Sequence, residues 1–171
     1  RSNVKSTFRI TDGYYPAEKQ EQMARYFLER IGYNFKKGRM DKSAHPFTTS
    51  FGIDDVRVTF RIDERDFTKA LYCAIHEGGH ALYNQGFNAE DKLNLLSDAP
   101  SYGMHESQSR FWENIIARSL PFWNCHFNYI KDLFKDELID VDVMNFYMAV
   151  NRVSRSLVRV DADEVTYNLH I

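Results

Sequence analysis

The stretch ALYCAIHEGGHALYNQGF, residues 70–87, decides the fold because it combines a long helical pattern with reactive side chains. A helix is predicted from about residue 66 to 85. At about 100° per residue, its apolar residues lie on one side, and His76 and His80 lie roughly opposite. This helix is therefore expected to pack against the core on one side and to hold something specific on the other.

Residues 76–80, HEGGH, form the pattern HExxH. On a helix, His76 and His80 lie about 40° apart on one face, one turn above each other. Two imidazoles so placed can reach one ion at the ~2.0–2.1 Å that zinc–nitrogen bonds require. Glu77 projects too far round the helix to be a ligand easily, but it can reach a water molecule on the same ion. The spacing predicts a zinc hydrolase with two ligands and a general base; a buried, hydrogen-bonded histidine pair is the alternative.

A catalytic zinc needs a third protein ligand. Glu106 lies 26 residues after His80, near the start of the next predicted helix, and two antiparallel helices can bring its carboxylate to the histidines. Its neighbour His105 is the rival ligand, and the two residues point about 100° apart, so only one is expected to bind. We favour Glu106 and expect His105 to donate a hydrogen bond to the substrate or to a developing oxyanion.

Gly78 and Gly79 interrupt a helix in which each costs about 1 kcal/mol relative to alanine. Their lack of side chains has two interpretations. Either a second helix or the substrate approaches the ligands at this point, or the glycines serve close helix packing alone.

The remaining sequence predicts a mainly α fold with a small antiparallel β element. Further helices are expected over about residues 16–31, 104–123, 126–138 and 142–171. The second of these helices should end or kink near Pro121. Residues 56–62, VRVTFRI, alternate apolar and polar side chains like a half-buried strand, and the preceding TTSF is a possible hairpin partner. A length of 171 residues suits one domain, assigned to residues 1–171.

The composition argues against several functional classes. The 24 acidic and 22 basic residues give a net charge of −2, which is not typical of a nucleic-acid-binding protein. The sequence contains no run of 18 apolar residues, so no membrane span is predicted. Cys73 and Cys125 do not form a CxxC pair and are expected to be buried free thiols in a reducing compartment. The chain starts at Arg1 and stops within a predicted helix, so we expect a piece of a longer protein.

Five short motifs occur in an order that resembles the M32 metallocarboxypeptidases. They are HPF (45–47), DVRVT (55–59), HEGGH (76–80), HESQ (105–108) and VRVDAD (158–163). The resemblance extends from about Gly13 to Ile171. It implies a helical gluzincin-like zinc-protease core with a long groove closed at one end. It also implies a cytoplasmic homodimer that removes single residues from peptide C-termini with zinc or cobalt.

The resemblance also implies roles for single residues. By position, the metal ligands would be His76, His80 and Glu106, and Glu77 would be the catalytic base. Arg159 would bind the terminal carboxylate of the substrate, whereas an i,i+4 ion pair with Asp163 on a solvated face is the alternative.

His45 and Arg57 are implied to line or shape the groove. For Arg57, an ordinary surface arginine on the polar side of its strand is the alternative.

The sequence departs from the family pattern in two places. Val158 replaces an isoleucine, and the final GxxQDxHW motif would lie beyond Ile171. Other gluzincins often carry an acid four residues after the glutamate ligand, where this chain has Arg110. The acid that supports the ligands is therefore expected elsewhere, at Asp98 or Asp163.

The first hypothesis is a zinc-dependent carboxypeptidase that hydrolyses the C-terminal bond of peptide substrates. The metal would activate a water molecule and polarise the scissile carbonyl, and Glu77 would carry the proton to the leaving amine. A catalytically incomplete metal-binding fragment is the alternative from another class. An endopeptidase with the same HExxH motif is the third hypothesis.

Overall fold

Helices dominate the computed structural model, which describes residues 8–91 and 97–152. Three short strands lie between the first two helices. The elements are α1 (Ala17–Ile31), β1 (Met40–Lys42), β2 (Thr48–Ser50), β3 (Val56–Phe60), α2 (Phe67–Gln85), α3 (Tyr102–Arg110), a π-helical segment (Phe111–Ile116), α4 (Leu120–Leu133), α5 (Lys135–Leu138) and α6 (Val143–Val150). The prediction of a mainly α fold is confirmed.

Helix α1 ends where its sequence predicts. Gly32 follows its last residue with a φ of 106°, a left-handed conformation that favours glycine, and its N–H donates to the carbonyls of Leu28 and Glu29. The apolar stripe of α1 includes Phe27 and Leu28, both fully buried. The predicted helix over residues 16–31 is therefore confirmed.

Helix α2 lies at the centre of the molecule and contacts α1, α3, β2, β3 and the π-helical segment. It begins after Asp66, whose side chain accepts a hydrogen bond from the backbone N–H of Thr68, as a helix cap does. Its apolar residues from Phe67 to Ala81 are buried, and the predicted span of 66–85 is confirmed. This burial fixes the direction in which its two histidines point.

The sheet has the strand order β1–β3–β2. Strand β2 pairs with β3 in antiparallel register, with Thr48 opposite Val58, as the predicted hairpin requires. Strand β1 pairs with β3 in parallel, which the sequence did not indicate because MDK is short and charged. Thr59 is buried rather than exposed, and its hydroxyl accepts a hydrogen bond from Phe47 N–H.

Pro121 begins a helix instead of ending one. Helix α3 continues as a π-helical segment to Ile116, and α4 starts at Leu120 with the proline in its first turn. Proline is tolerated there because its missing N–H has no partner in the first turn. Ser119 caps α4 by accepting a hydrogen bond from Phe122 N–H. The break expected near Pro121 is therefore present at residues 117–119, but the predicted helix over 104–123 ends at Ile116 and the proline belongs to the next helix.

The C-terminal helices also differ from their predicted bounds. Helix α4 starts earlier than residue 126 and is separated from the short α5 at Phe134. The helix predicted over 142–171 is represented by α6, and residues 153–171 lie outside the described part of the chain. None of the described helices is long and apolar enough to cross a membrane.

Aromatic side chains join these helices to α2. Phe67, in the first turn of α2, contacts Tyr15 and Phe134, with ring centroids 4.7 and 4.9 Å apart. Phe146 of α6 contacts Trp123 of α4 with ring centroids 4.7 Å apart. All five rings are fully buried in one hydrophobic cluster. The assignment of residues 1–171 to a single domain stays a prediction.

The two cysteines occupy different environments. Cys125 is exposed, so the expectation of two buried thiols is wrong for this residue. Cys73 on α2 is half-buried, and burial, assisted by the charge of Glu113, raises the pKa of its thiol to about 11. Its reactive thiolate is therefore scarce at pH 8.

We expect a thiol reagent at pH 8 to label Cys125 rapidly in the folded chain and Cys73 only after addition of denaturant. A colorimetric disulfide reagent measures both phases. The Cys125→Ser variant should lose the fast phase and keep the slow one. Rapid labelling of Cys73 in the folded protein would contradict the burial of this side chain.

Candidate metal centre

The backbones of α2 and α3 touch at Gly79. A Cβ atom at this position would lie 2.7 Å from Ser109 Cα and 2.8 Å from the Gln108 carbonyl oxygen, closer than real Cβ atoms come. A Cβ atom on Gly78 would instead meet the side-chain ends of Leu28 and Ile31 on α1. Both glycines therefore permit close helix packing. Gly79 allows α3, the helix that carries Glu106, to approach α2.

This approach brings three candidate ligand side chains together. Glu106 Oε2 lies 3.2 Å from His80 Nε2 and 3.6 Å from His76 Nε2. One ligand atom from each residue lies within 4.8 Å of the other two, and within residues 8–91 and 97–152 no second group of this kind occurs. The three side chains are only partly buried, so the cluster is not sealed from solvent.

The second nitrogen of each histidine ring is also engaged. His76 Nδ1 lies 2.8 Å from Glu113 Oε2, and His80 Nδ1 lies 3.1 Å from the carbonyl oxygen of His105. When Nδ1–H donates to these acceptors, Nε2 carries the lone pair and faces Glu106. A carboxylate or carbonyl partner on the far nitrogen is the usual support of a metal-binding histidine.

His105 lies beside the cluster rather than in it. Its Nε2 is 3.0 Å from Asn84 Oδ1, and its ring stacks on that of His80 with centroids 4.5 Å apart. Its Nδ1 is 2.6 Å from His80 Nδ1, so the N–H at His80 Nδ1 faces both this nitrogen and the His105 carbonyl oxygen. Burial, followed by the charge of His80, lowers the pKa of His105. Of the two rival ligands, the structure brings Glu106 to the histidines.

Glu77 is buried on the side of α2 that faces the sheet, with 7% of the residue exposed. Its Oε2 lies 2.7 Å from Thr48 Oγ1, and the same hydroxyl lies 2.9 Å from the Glu77 carbonyl oxygen. Strand β2, which carries Thr48, thus holds the carboxylate of Glu77 in place. Thr48 had no signal in the sequence, because its contact depends on how β2 packs on α2.

Opposing effects set the charge of the His76–Glu113 pair. Burial lowers the pKa of His76, but its hydrogen bond to Glu113 and the nearby carboxylates outweigh burial, and the net pKa is raised. Burial raises the pKa of Glu113, whereas the hydrogen bond to His76 and the charges of Arg110 and Arg118 outweigh it and lower the net pKa. The carboxylate of Glu113 is therefore held ionised.

The remaining predicted site residues lie in three places. His45 is exposed in the segment between β1 and β2. Arg57 is exposed on β3 and makes a bidentate pair with Asp55, with nitrogen–oxygen distances of 2.8 and 2.7 Å. Arg159 lies outside the described residues. The structure therefore does not place any of these three at the cluster.

The acid that supports a ligand is Glu113, which was not predicted from the sequence. Asp98, one of the two candidates, accepts a hydrogen bond from Ala99 N–H, and His76 uses Glu113 instead. Asp163, the other candidate, lies outside the described residues. The signal that could have found Glu113 is its position seven residues after Glu106, about two helical turns further on.

A helix with paired histidines, packed against a helix that supplies a glutamate, is the arrangement of a gluzincin-like metallopeptidase. The chain belongs to the Carboxypeptidase Taq (M32) metallopeptidase family, whose model matches residues 1–171. The predicted resemblance is thereby confirmed.

Relatives cover nearly the whole chain. It is 44% identical over 169 residues to Carboxypeptidase 1 of Bacillus subtilis, which includes 99% of this chain and 34% of the relative. It is 48% identical over 157 residues to Thermostable carboxypeptidase 1 of Thermus thermophilus, with 92% and 31% covered. The crystal structure of the M32 carboxypeptidase from Deinococcus radiodurans R1 superposes with a TM-score of 0.92 at 45% identity, covering 97% of this chain and 34% of that one. The chain thus spans about a third of the length of these relatives.

Proposed function

We propose that the full-length protein carrying this sequence is a metal-dependent carboxypeptidase that hydrolyses the C-terminal peptide bond of peptides. The observation that carries the proposal is the convergence of His76, His80 and Glu106 on one point. Membership of the M32 family supports it. A cytoplasmic homodimer, which the resemblance implies, stays a prediction.

The three side chains fit a divalent zinc ion, with cobalt as the other candidate. Two imidazole nitrogens and one carboxylate oxygen form the ligand set of His₂Glu zinc peptidases. Both Nε2 atoms face Glu106 Oε2, and both Nδ1 atoms have acceptors that hold the rings in place. When bound, the ion would polarise a carbonyl and acidify a water molecule.

Glu77 is proposed to move the proton. Thr48 Oγ1 donates to Oε2, so Oε1 is the oxygen that takes a proton from the attacking water. The water oxygen then bonds to the scissile carbonyl carbon, and the same Oε1 delivers the proton to the departing amine nitrogen as the C–N bond breaks. The burial of Glu77 limits competing solvent around the carboxylate.

Recognition of the chain end is proposed for Arg159, with His105, His45 and Arg57 in supporting roles. Arg159 would pair with the terminal carboxylate, because a guanidinium binds a carboxylate bidentately. His105 would donate a hydrogen bond to the substrate carbonyl by exchanging its Nε2 contact with Asn84 Oδ1 for one with the substrate, and His45 and Arg57 would shape the groove. Because Arg57 is paired with Asp55, it would shape the groove rather than contact the substrate directly.

A peptide with a free C-terminus and the same peptide amidated at its C-terminus test this function. The full-length protein is expected to release single amino acids from the free peptide, and amidation should strongly impair release. Amino-acid analysis measures the product. Cleavage of internal bonds that ignores amidation would indicate the endopeptidase hypothesis instead.

The incomplete metal-binding unit remains the second candidate for residues 1–171 by themselves, because they span about a third of the relatives' length. It predicts that the isolated chain binds one zinc ion and releases no amino acid, while the full-length protein turns over. Turnover by the isolated chain would reject it.

A further inference from the structure

We infer that Glu113 is a positioning residue that holds His76 for metal binding, and that Arg118 ties this carboxylate to the C-terminal end of α6. The inference rests on the metal centre proposed above and adds a support to it. It concerns one buried carboxylate, the two arginines beside it and the last turn of one helix.

The side chain of Glu113 is more buried than that of Glu106, the candidate ligand on the same side of the α2–α3 contact. Its side chain is 12% exposed, compared with 37% for Glu106. Its Oε2 lies 2.8 Å from His76 Nδ1, so the ring cannot rotate without breaking this contact. A ligand histidine held in this way keeps Nε2 aimed at the ion at little entropic cost.

The local backbone is unusual at this residue. Glu113 lies in the π-helical segment, where Ala117 N–H donates to the Trp112 carbonyl, five residues earlier. Short π-helical turns inside helices occur often at functional sites. Because the wider turn changes which side chains face α2 after Arg110, it presents Glu113 to His76 on the same side of the α2–α3 contact as Glu106.

Two arginines hold the charge of Glu113 in place. Arg110 NH1 lies 3.1 Å from Oε2, and Arg118 NH2 lies 3.7 Å from Oε1. A buried carboxylate is retained where it is paired and hydrogen-bonded, and removal of one partner leaves an uncompensated charge. Both oxygens of Glu113 are therefore engaged, and only Oε2 is shared with the histidine.

Arg118 extends this contact to two further elements. Its guanidinium lies over the ring of Tyr72, 3.9 Å from the centroid, one turn before His76 on α2. Its NH1 donates to the Val150 carbonyl at 2.8 Å, and Asn151 Nδ2 donates to the Arg118 carbonyl at 3.1 Å. The end of α6 is thus tied to the support of the metal ligand. Arg159, the proposed carboxylate-binding residue, follows this end of α6 in the sequence.

Three variants of the full-length protein test the inference. In Glu113→Gln the charge is lost and the shape is kept; in Glu113→Asp the charge is kept and the carboxylate is drawn away from His76. Both are expected to lower zinc affinity by about 10–100-fold, the usual effect of changing such a support. Arg118→Met is expected to lower affinity less, because Arg110 still holds the carboxylate.

Zinc affinity is measured by competition with a chromophoric chelator, and Co²⁺ absorption in the visible range reports the ligand geometry. Glu113→Asp should shift the Co²⁺ spectrum, whereas a role in stability alone would change only the melting temperature of the metal-free protein. Glu64→Gln is the control. It changes an exposed carboxylate that accepts a hydrogen bond from the Tyr14 hydroxyl.

Unchanged affinity and spectrum in Glu113→Asp would overturn the positioning role, and unchanged affinity in Arg118→Met would overturn the link to α6. If Glu113→Gln fails to fold, Glu113→Asp still decides, because its negative charge beside the two arginines is retained. A wild-type protein that binds neither Zn²⁺ nor Co²⁺ would instead reject the proposed function.

Discussion

Exchange of Glu77 for glutamine is expected to lower kcat by about 10²–10⁴-fold, the usual contribution of a general base. The amide cannot take a proton from the attacking water. It can still accept the hydrogen bond that Thr48 Oγ1 donates at 2.7 Å, so the local packing should survive. Glu77 is not one of the three clustered ligands, and the metal should therefore remain bound.

Two measurements on the full-length protein separate chemistry from binding. Release of the C-terminal amino acid gives kcat, and metal content after gel filtration gives occupancy. Glu64→Gln is the matched control, since its carboxylate is exposed, accepts a hydrogen bond from Tyr14 and is not one of the clustered ligands. Turnover of the Glu77→Gln protein close to that of the wild type would remove Glu77 from the mechanism.

Exchange of Gly79 for alanine is expected to separate α2 from α3. The new Cβ atom would meet backbone atoms of Gln108 and Ser109 at 2.8 and 2.7 Å, and backbone cannot turn aside as a flexible side chain can. Overpacking of this kind costs about 1–3 kcal/mol or more, against a gain of about 1 kcal/mol in helix propensity. We expect the free energy of unfolding to fall by up to about 2 kcal/mol.

The larger effect should fall on metal binding, because α3 carries Glu106. The distance of 3.2 Å between Glu106 Oε2 and His80 Nε2 depends on the contact that the new methyl group would break. We expect zinc affinity to fall by at least about tenfold, as for other disturbed ligand supports. Thermal unfolding of the metal-free protein and chelator competition measure the two effects separately.

Gly78→Ala is the matched control for this variant. Its Cβ atom would approach the side-chain ends of Leu28 and Ile31, at 2.6 and 2.7 Å, and these can rotate away. Helix α1, which bears them, carries no ligand, so zinc affinity should stay close to that of the wild type. If the two alanine variants lose zinc affinity equally, the close contact of α2 with α3 is not what places Glu106.

The sequence predicted the central helix because two independent signals agreed over residues 66–85. The apolar residues recur at helical spacing, and the HExxH pattern has meaning only on a helix. The same logic found α1 and the β2–β3 hairpin. It failed at Pro121, because proline stops a helix in its interior but suits its first turn, and only the capping contact of Ser119 tells the two apart.

Sequence spacing alone also pointed to three side chains of the candidate site: His76 and His80 lie one turn apart, and Glu106 lies on the next helix. Their convergence was decided by the tertiary structure, since it depends on the approach of α3 to Gly79. The supports Thr48 and Glu113 were decided in the same way. They come from distant segments whose contacts arise only when a strand and a π-helical segment pack on α2. Helical periodicity is a local property that a sequence records directly, whereas contacts between elements depend on how their surfaces fit.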